Sequence, residues 1–117
     1  MTDYDFYSSR YGGNLSEEKI MPCIRFAEAF INSRTDFLFE KKGYPEEGSS
    51  LYERLRLCAC EAGEEKYKMG LSNGKSSEAV GNYSVSYAEV NSEDVAKRLM
   101  PILETYIPDV IKTVKWI

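Results

Sequence analysis

The side chains that could do chemistry are few, and their spacing is wrong for most reactions. Histidine is absent from all 117 residues. Its absence removes the commonest general base and the commonest metal ligand together, and no Ser/His/Asp or Cys/His nucleophile set can be assembled. Cys58 and Cys60 form a Cys-x-Cys pair, and Cys23 stands apart. Residues two apart on a helix point to nearly opposite sides. That spacing suits neither a disulfide nor two ligands of one metal, so three plain thiols are expected. The acidic pairs Glu17/Glu18, Glu46/Glu47 and Glu64/Glu65 invite a glycosidase or metal reading. Adjacent residues do not face each other on a helix, so solvated surface is expected at all three. The stretch "SNGKS" carries Gly-Lys-Ser, but Met69 stands where a phosphate loop needs its first glycine. The expectation is a non-enzyme with no cofactor and no metal.

What remains is aromatic. Nine tyrosines accompany five phenylalanines. Tyr joins a large apolar body to a polar tip and so serves interfaces as well as cores. Two places concentrate it. Tyr4, Phe6, Tyr7 and Tyr11 fall within eight positions near the start, followed by Gly12-Gly13-Asn14. That is too much apolar area for a free tail. An arm over residues 1–14 is expected to pack on the chain's own helices or on a neighbouring subunit, with the Gly-Gly-Asn ending it. The second place is "SSEAVGNYSVSY", Ser76–Tyr87. A two-residue Gly81-Asn82 turn sets Val80, Tyr83, Val85 and Tyr87 on one face of a hairpin and small polar residues on the other. A two-stranded hairpin is marginal alone in water. It must lie on a helix or join strands from another subunit.

The elements that must position these residues read as helices. Ser16 is a cap candidate, with Glu17 and Glu18 favoured by the helix dipole behind it. Leu15 and Ile20 make a hydrophobic staple. Ile20, Cys23, Ile24, Ala27, Phe30 and Ile31 follow a 3.6 period, Phe26 interrupts the opposite side, and Pro22 removes one donor. The helix fades near Ser33 to Thr35. Lys41 to Ser49 reads as an exposed loop. Ser50-x-x-Glu53 then offers a capping box. Leu51, Leu55, Cys58, Ala59, Ala62 and Met69 follow as a buried stripe, and Gly70 is a stop. Ala59, Ala62 and Gly63 are small enough to let another helix approach closely. A third helix starts at Asn91 or Ser92, with a Val90/Val95 staple, an apolar side of Val95, Leu99, Ile102, Leu103 and Tyr106, and Pro101 inside. Pro108 ends it, leaving 108–117 as a tail. The fold class expected is mainly α: a small bundle of three to four helices in a single 1–117 domain, with a projecting β-hairpin or extended loop and an N-terminal aromatic arm.

Charge narrows the partners. The net charge is −4 and spread thinly, with no basic arm, so tight binding to nucleic-acid phosphates is not expected. No apolar run approaches the roughly 20 residues of a bilayer span, and "MTDYDFYSSR" lacks the form of a signal peptide. A cytosolic protein is expected.

"DYDFYSSRYGGNLSEEK" resembles the N-terminal signature of tailed-bacteriophage head–tail connector proteins, the small head-completion adaptors of siphophages and prophages. There an aromatic arm precedes a Ser-Glu-Glu helix start. "FINSRTDFLF" looks like the family's continuation of that helix, and "SSEAVGNYSVSY" is similar to a Ser-Val-Ser-Tyr segment of the family. The ending "PDVIKTVKWI" differs from the glycine- and arginine-containing ending of relatives. The resemblance implies a mainly helical virion subunit that forms a ring, dodecameric in the virion, under the portal protein. The ring extends the channel for passing DNA without binding it specifically, and meets the next head-completion or tail protein. It assembles in the host cytoplasm and ends at the head–tail junction. Carried to this chain, the interface residues are Tyr4, Phe6, Tyr7 and Tyr11 of the arm and Val80, Tyr83, Val85 and Tyr87 of the hairpin. The rival expectation is a bacterial helical adaptor or regulatory protein that binds one protein partner.

Overall fold

The computed structural model describes residues 2–35, 45–72 and 92–111. Over these residues the chain is a small helical bundle, with no strand among them. A π-helical turn at Phe6–Tyr11 is followed by α1 (Glu17–Arg34), α2 (Ser50–Ser72) and α3 (Glu93–Tyr106). The expected hairpin, with Val80, Tyr83, Val85 and Tyr87, lies outside the described residues, as do Val90 and residues 112–117.

Helix α2 is the hub. The arm, α1 and α3 each pack on it, while α1 and α3 scarcely meet. This arrangement resolves the Cys-x-Cys pair. Cys58 and Cys60 point to different sides of α2, yet both are fully buried, because partners cover the helix on more than one side. All three cysteines are free thiols. Burial pushes Cys58 well above the ordinary thiol range and Cys60 up to about 12.

Helix α1 begins where the sequence places it. Leu15 packs against the core and Ile20 is fully buried. The Ser16 hydroxyl makes no capping bond; its carbonyl instead accepts from Lys19 and Ile20 N–H at 3.1 and 2.9 Å. Pro22 withholds one donor, and the helix continues to Arg34. Thr35 closes it, its hydroxyl donating to the Ile31 carbonyl at 2.9 Å. Phe26 does not interrupt a solvated side. It is fully buried, with the Lys66 ammonium 4.7 Å from its ring centre.

Helix α2 starts one residue earlier than a Ser50 capping box requires. Gly48 takes φ 93°, a conformation that glycine adopts without a Cβ penalty, and this turn places Ser49 as the cap. The Tyr52 N–H donates to Ser49 Oγ at 3.2 Å. Glu53 is thereby displaced from the cap-partner position and pairs with Arg10 of the arm. Gly70 is no stop: α2 runs through it to Ser72. Against α1 the helix is narrow, as Ala59, Ala62 and Gly63 predict. A Cβ on Gly63 would lie 2.8 Å from Ile24 Cγ1 and 3.1 Å from Ile24 Cα.

Helix α3 has the most complete start. Ser92 Oγ accepts from Val95 N–H at 3.3 Å, and Glu93 and Asp94 occupy the first turn. Val95, Leu99 and Leu103 are buried, and Pro101 sits inside. Ile107 closes the helix immediately before Pro108, and its side chain is fully buried.

Candidate functional site

The arm is held by one anchor. Tyr7 is fully buried, and its phenol donates to Glu64 Oε2 at 2.6 Å while accepting from Leu15 N–H at 3.1 Å. Tyr4 and Tyr11 flank it with ring centres 5.8 Å away on either side, a spacing within the range of favourable aromatic pairs. Tyr4 OH donates to the Leu15 carbonyl at 3.0 Å. The sequence dictates this row: residues 4, 7 and 11 are three and four apart, so a helical turn stacks them on one side. Gly12 then adopts φ 85°, and its N–H caps the turn on the Tyr7 carbonyl. Gly13 lies directly against the Tyr7 ring, where any Cβ would overlap it. The Gly-Gly pair thus serves two ends: the first residue turns the chain and the second makes room for the anchor.

Phe6 faces the other way, onto α2. The Arg56 guanidinium lies 4.1 Å from the Phe6 ring centre and 5.1 Å from that of Tyr52, and reaches Asp3 at 3.5 Å. The extreme N-terminal part docks on α1. Thr2 N–H donates to Glu28 Oε2 at 2.9 Å, and Arg25 donates to the Thr2 carbonyl at 3.0 Å and to Glu28 at 2.8 Å. Each of the four arm residues expected at an interface therefore packs on the chain's own body. Tyr7 is wholly enclosed, whereas Tyr4, Phe6 and Tyr11 are half-buried.

The electrostatics of this seam follow from its carboxylates. The Tyr7 phenol is pushed up to about 12, first by burial and then by its bond to Glu64. Burial also raises Tyr11, which feels Glu64 and Glu61. On the α3 side, Tyr106 donates to Glu61 at 2.8 Å and is likewise raised to about 12, by burial first. Glu64 is thus not a solvated surface residue. It is half-buried, and its neighbour Glu65 accepts from Arg98 Nε at 2.7 Å. The residues missed from sequence are those on α2: Arg56, Glu61 and Glu64. Their partners lie 45 to 57 residues away, and no local pattern encodes such pairs. The one available signal was that Glu61 and Glu64 stand three apart on a helix that also carries an apolar stripe.

Between the arm and the first turns of α2 opens a cleft of about 410 Å³, lined among others by Asp3, Phe6, Arg10, Tyr52, Glu53 and Arg56. It has no nucleophile–base pair. Among the described residues, no group of three or more Cys, Asp or Glu side chains is placed to hold a metal ion. No helix among them is long and apolar enough to cross a membrane. No protein-family model, curated protein or solved structure matches the chain.

Proposed function

We infer that this protein is a structural subunit of a tailed-bacteriophage head–tail connector. It forms a ring on the portal, dodecameric in the virion, extends the DNA channel and joins the head to the next completion or tail protein. The observation that carries the reading is the ordered resemblance of "DYDFYSSRYGGNLSEEK", "FINSRTDFLF" and "SSEAVGNYSVSY" to that family. The geometry is compatible with an assembly role. The first motif forms one unit of arm, glycine turn and helix start, and the surface cleft it borders is built of charges and aromatic rings. A net charge of −4 lets phosphates pass a channel without gripping them. The test is reconstitution: purified protein mixed with portal rings from the same phage, followed by sedimentation and electron microscopy. One layer of this chain on each portal ring is expected. Folded protein that never binds the portal overturns the reading, and a stoichiometric complex with one cellular protein instead supports the helical-adaptor alternative. Portal, protease and capsid genes upstream of this one would add independent support.

A further inference from the structure

We propose that the cleft between the arm and the start of α2 receives an arginine side chain from a segment of another protein. The inference concerns this cleft alone and does not need the connector reading. Four carboxylates line it, Asp3 and Asp5 from the arm and Glu47 and Glu53 from the α2 side, against two cations, Arg10 and Arg56. Both cations are already matched. Arg10 pairs with Glu53, and Arg56 reaches Asp3 at 3.5 Å. Asp5 and Glu47 are left over. Both are exposed, and neither has an ion-pair partner among the described residues. A basic partner complements that surplus, and the chain's net charge of −4 steers it the same way.

Charge alone would admit any cation, and the walls select arginine. Phe6 and Tyr52 both line the cleft. Their rings already hold the Arg56 guanidinium, at 4.1 and 5.1 Å from the ring centres, with the Asp3 carboxylate in reach. Arg56 thus displays the chemistry that the cleft offers: aromatic faces beside carboxylates. A guanidinium is planar, weakly hydrated and able to bind two acceptors at once, whereas an ammonium is compact and strongly hydrated. The cleft volume, about 410 Å³, stands near the lower end for ligand pockets. It suits one long side chain and its backbone, not a folded element.

The two surplus carboxylates are held in place without being used. Asp5 precedes the arm's helical turn, where its carbonyl accepts from Ser9 Oγ at 2.6 Å and its side chain caps nothing. The buried Tyr7 fixes that turn on α2. Glu47 sits in the turn that Gly48 completes, closed by Ser49 N–H on the Glu46 carbonyl at 3.0 Å. One carboxylate therefore comes from each side of the cleft.

The experiment titrates the full, isotope-labelled chain with the blocked peptide acetyl-Gly-Arg-Gly-amide and follows its amide resonances. Matching peptides carry citrulline, the neutral isostere of arginine, or lysine. Saturable shifts are expected at the arm and at the start of α2, with a Kd on the order of millimolar. Citrulline should bind at least about 5-fold more weakly and lysine about 2–5-fold more weakly. Asp5→Asn and Glu47→Gln should each weaken the arginine peptide by about 2–5-fold, and together by the product. Neither side chain makes a bond that the fold uses, and unchanged circular dichroism checks this. Asp94→Asn is the control: Asp94 is exposed in the first turn of α3, toward the far end of α2, where Arg98 meets Glu65. It should leave binding unchanged. Shifts that stay linear in peptide, or equal binding of the citrulline peptide, overturn the proposal. So does a double variant that binds like the parent. A lysine peptide that binds as tightly as arginine overturns the assignment to a guanidinium. Self-association of the chain that the double variant abolishes, read by sedimentation, would place a second copy in the cleft and overturn the assignment to another protein.

Discussion

Gly63 and Gly70 sit two turns apart on α2, and the same substitution at each should change stability in opposite directions. In a helix interior, Ala is favoured over Gly by about 0.8–1.0 kcal/mol. Gly70 has no atom within 4 Å of where a Cβ would stand, so Gly70→Ala should stabilise by about 0.5–1 kcal/mol, somewhat reduced near the helix end. Gly63 faces α1. There the new Cβ meets Ile24 Cγ1 at 2.8 Å, Ile24 Cα at 3.1 Å and Ile24 N at 3.2 Å. The first contact can be eased by rotating Ile24, though that side chain is itself fully buried. The other two are backbone, so α1 must move away by some tenths of an ångström and loosen the interface along its length. Overpacking of this kind costs typically about 1–3 kcal/mol, which exceeds the propensity gain. Gly63→Ala should therefore destabilise by up to about 2 kcal/mol net. Urea titration with unchanged slope measures both values, and thermal melts should separate the two variants by roughly 4 °C per kcal/mol. A Gly63→Ala protein as stable as Gly70→Ala would refute the close crossing of α1 and α2.

Ser92→Ala should cost about 1 kcal/mol because its hydroxyl caps α3. Ser16→Ala should stay within about 0.5 kcal/mol, since that side chain makes no capping bond; chemical denaturation compares them. Tyr7→Phe keeps the ring but leaves Glu64 and the Leu15 N–H without the phenol, for a loss of about 1.5–3 kcal/mol, while Tyr7→Ala should cost about 3–5 kcal/mol by analogy with large aromatic truncations. Tyr7 and Tyr106 hold their protons to about pH 12 in the folded chain against 10.0 for an ordinary phenol. Their stabilising contribution is complete below pH 10 and is lost as pH rises to 12, so alkaline unfolding followed by tyrosinate absorbance should shift in Tyr7→Phe and Tyr106→Phe proteins. Cys58 and Cys60 should resist a thiol reagent at pH 8 until denaturant is added, because burial keeps both thiols protonated and covered.

The sequence disclosed what depends on neighbours along the chain. The end of α1 near Thr35, the Ser92 start and the Pro108 end are all local events and are found, and Leu15 and Ile20 both lie at the core. So is the close approach at Gly63, because a small residue states its consequence wherever the partner comes from. The misplacements share a cause. The α2 cap fell on Ser49 instead of Ser50 because two adjacent serines compete, and the Gly48 turn decides between them. Gly70 was read as a stop although its φ is not left-handed, so it needs no glycine and costs only propensity. Phe26 and Glu64 looked solvent-facing because their cover, Lys66 and Tyr7, comes from distant parts of the chain.

These misreadings converge on α2, whose surface is divided into three stripes. Glu53, Arg56 and Glu64 take Arg10, Asp3 and Tyr7 of the arm. Arg54, Glu61 and Glu65 take Asp109, Tyr106 and Arg98 on and after α3. Gly63 and Lys66 receive Ile24 and Phe26 of α1. Within each stripe the spacings are combinations of three and four, as helical neighbours require. A helix with partners on three sides has no single polar face, so its amphipathic signal is weak even though it is the most enclosed element. The stripes also differ in kind. On the α1 side Gly63 admits Ile24 at close range and Lys66 covers the fully buried Phe26 ring, which removes carbon from water, so α1 and α2 form the inseparable part of the fold. The arm stripe is charged, and only Tyr7 drives into the core. Exposed ion pairs such as Arg10–Glu53 contribute about 1 kcal/mol or less. The arm's hold therefore depends mainly on one phenol and its carboxylate, so losing Tyr7 should loosen the arm before it disturbs the packing of α1 on α2.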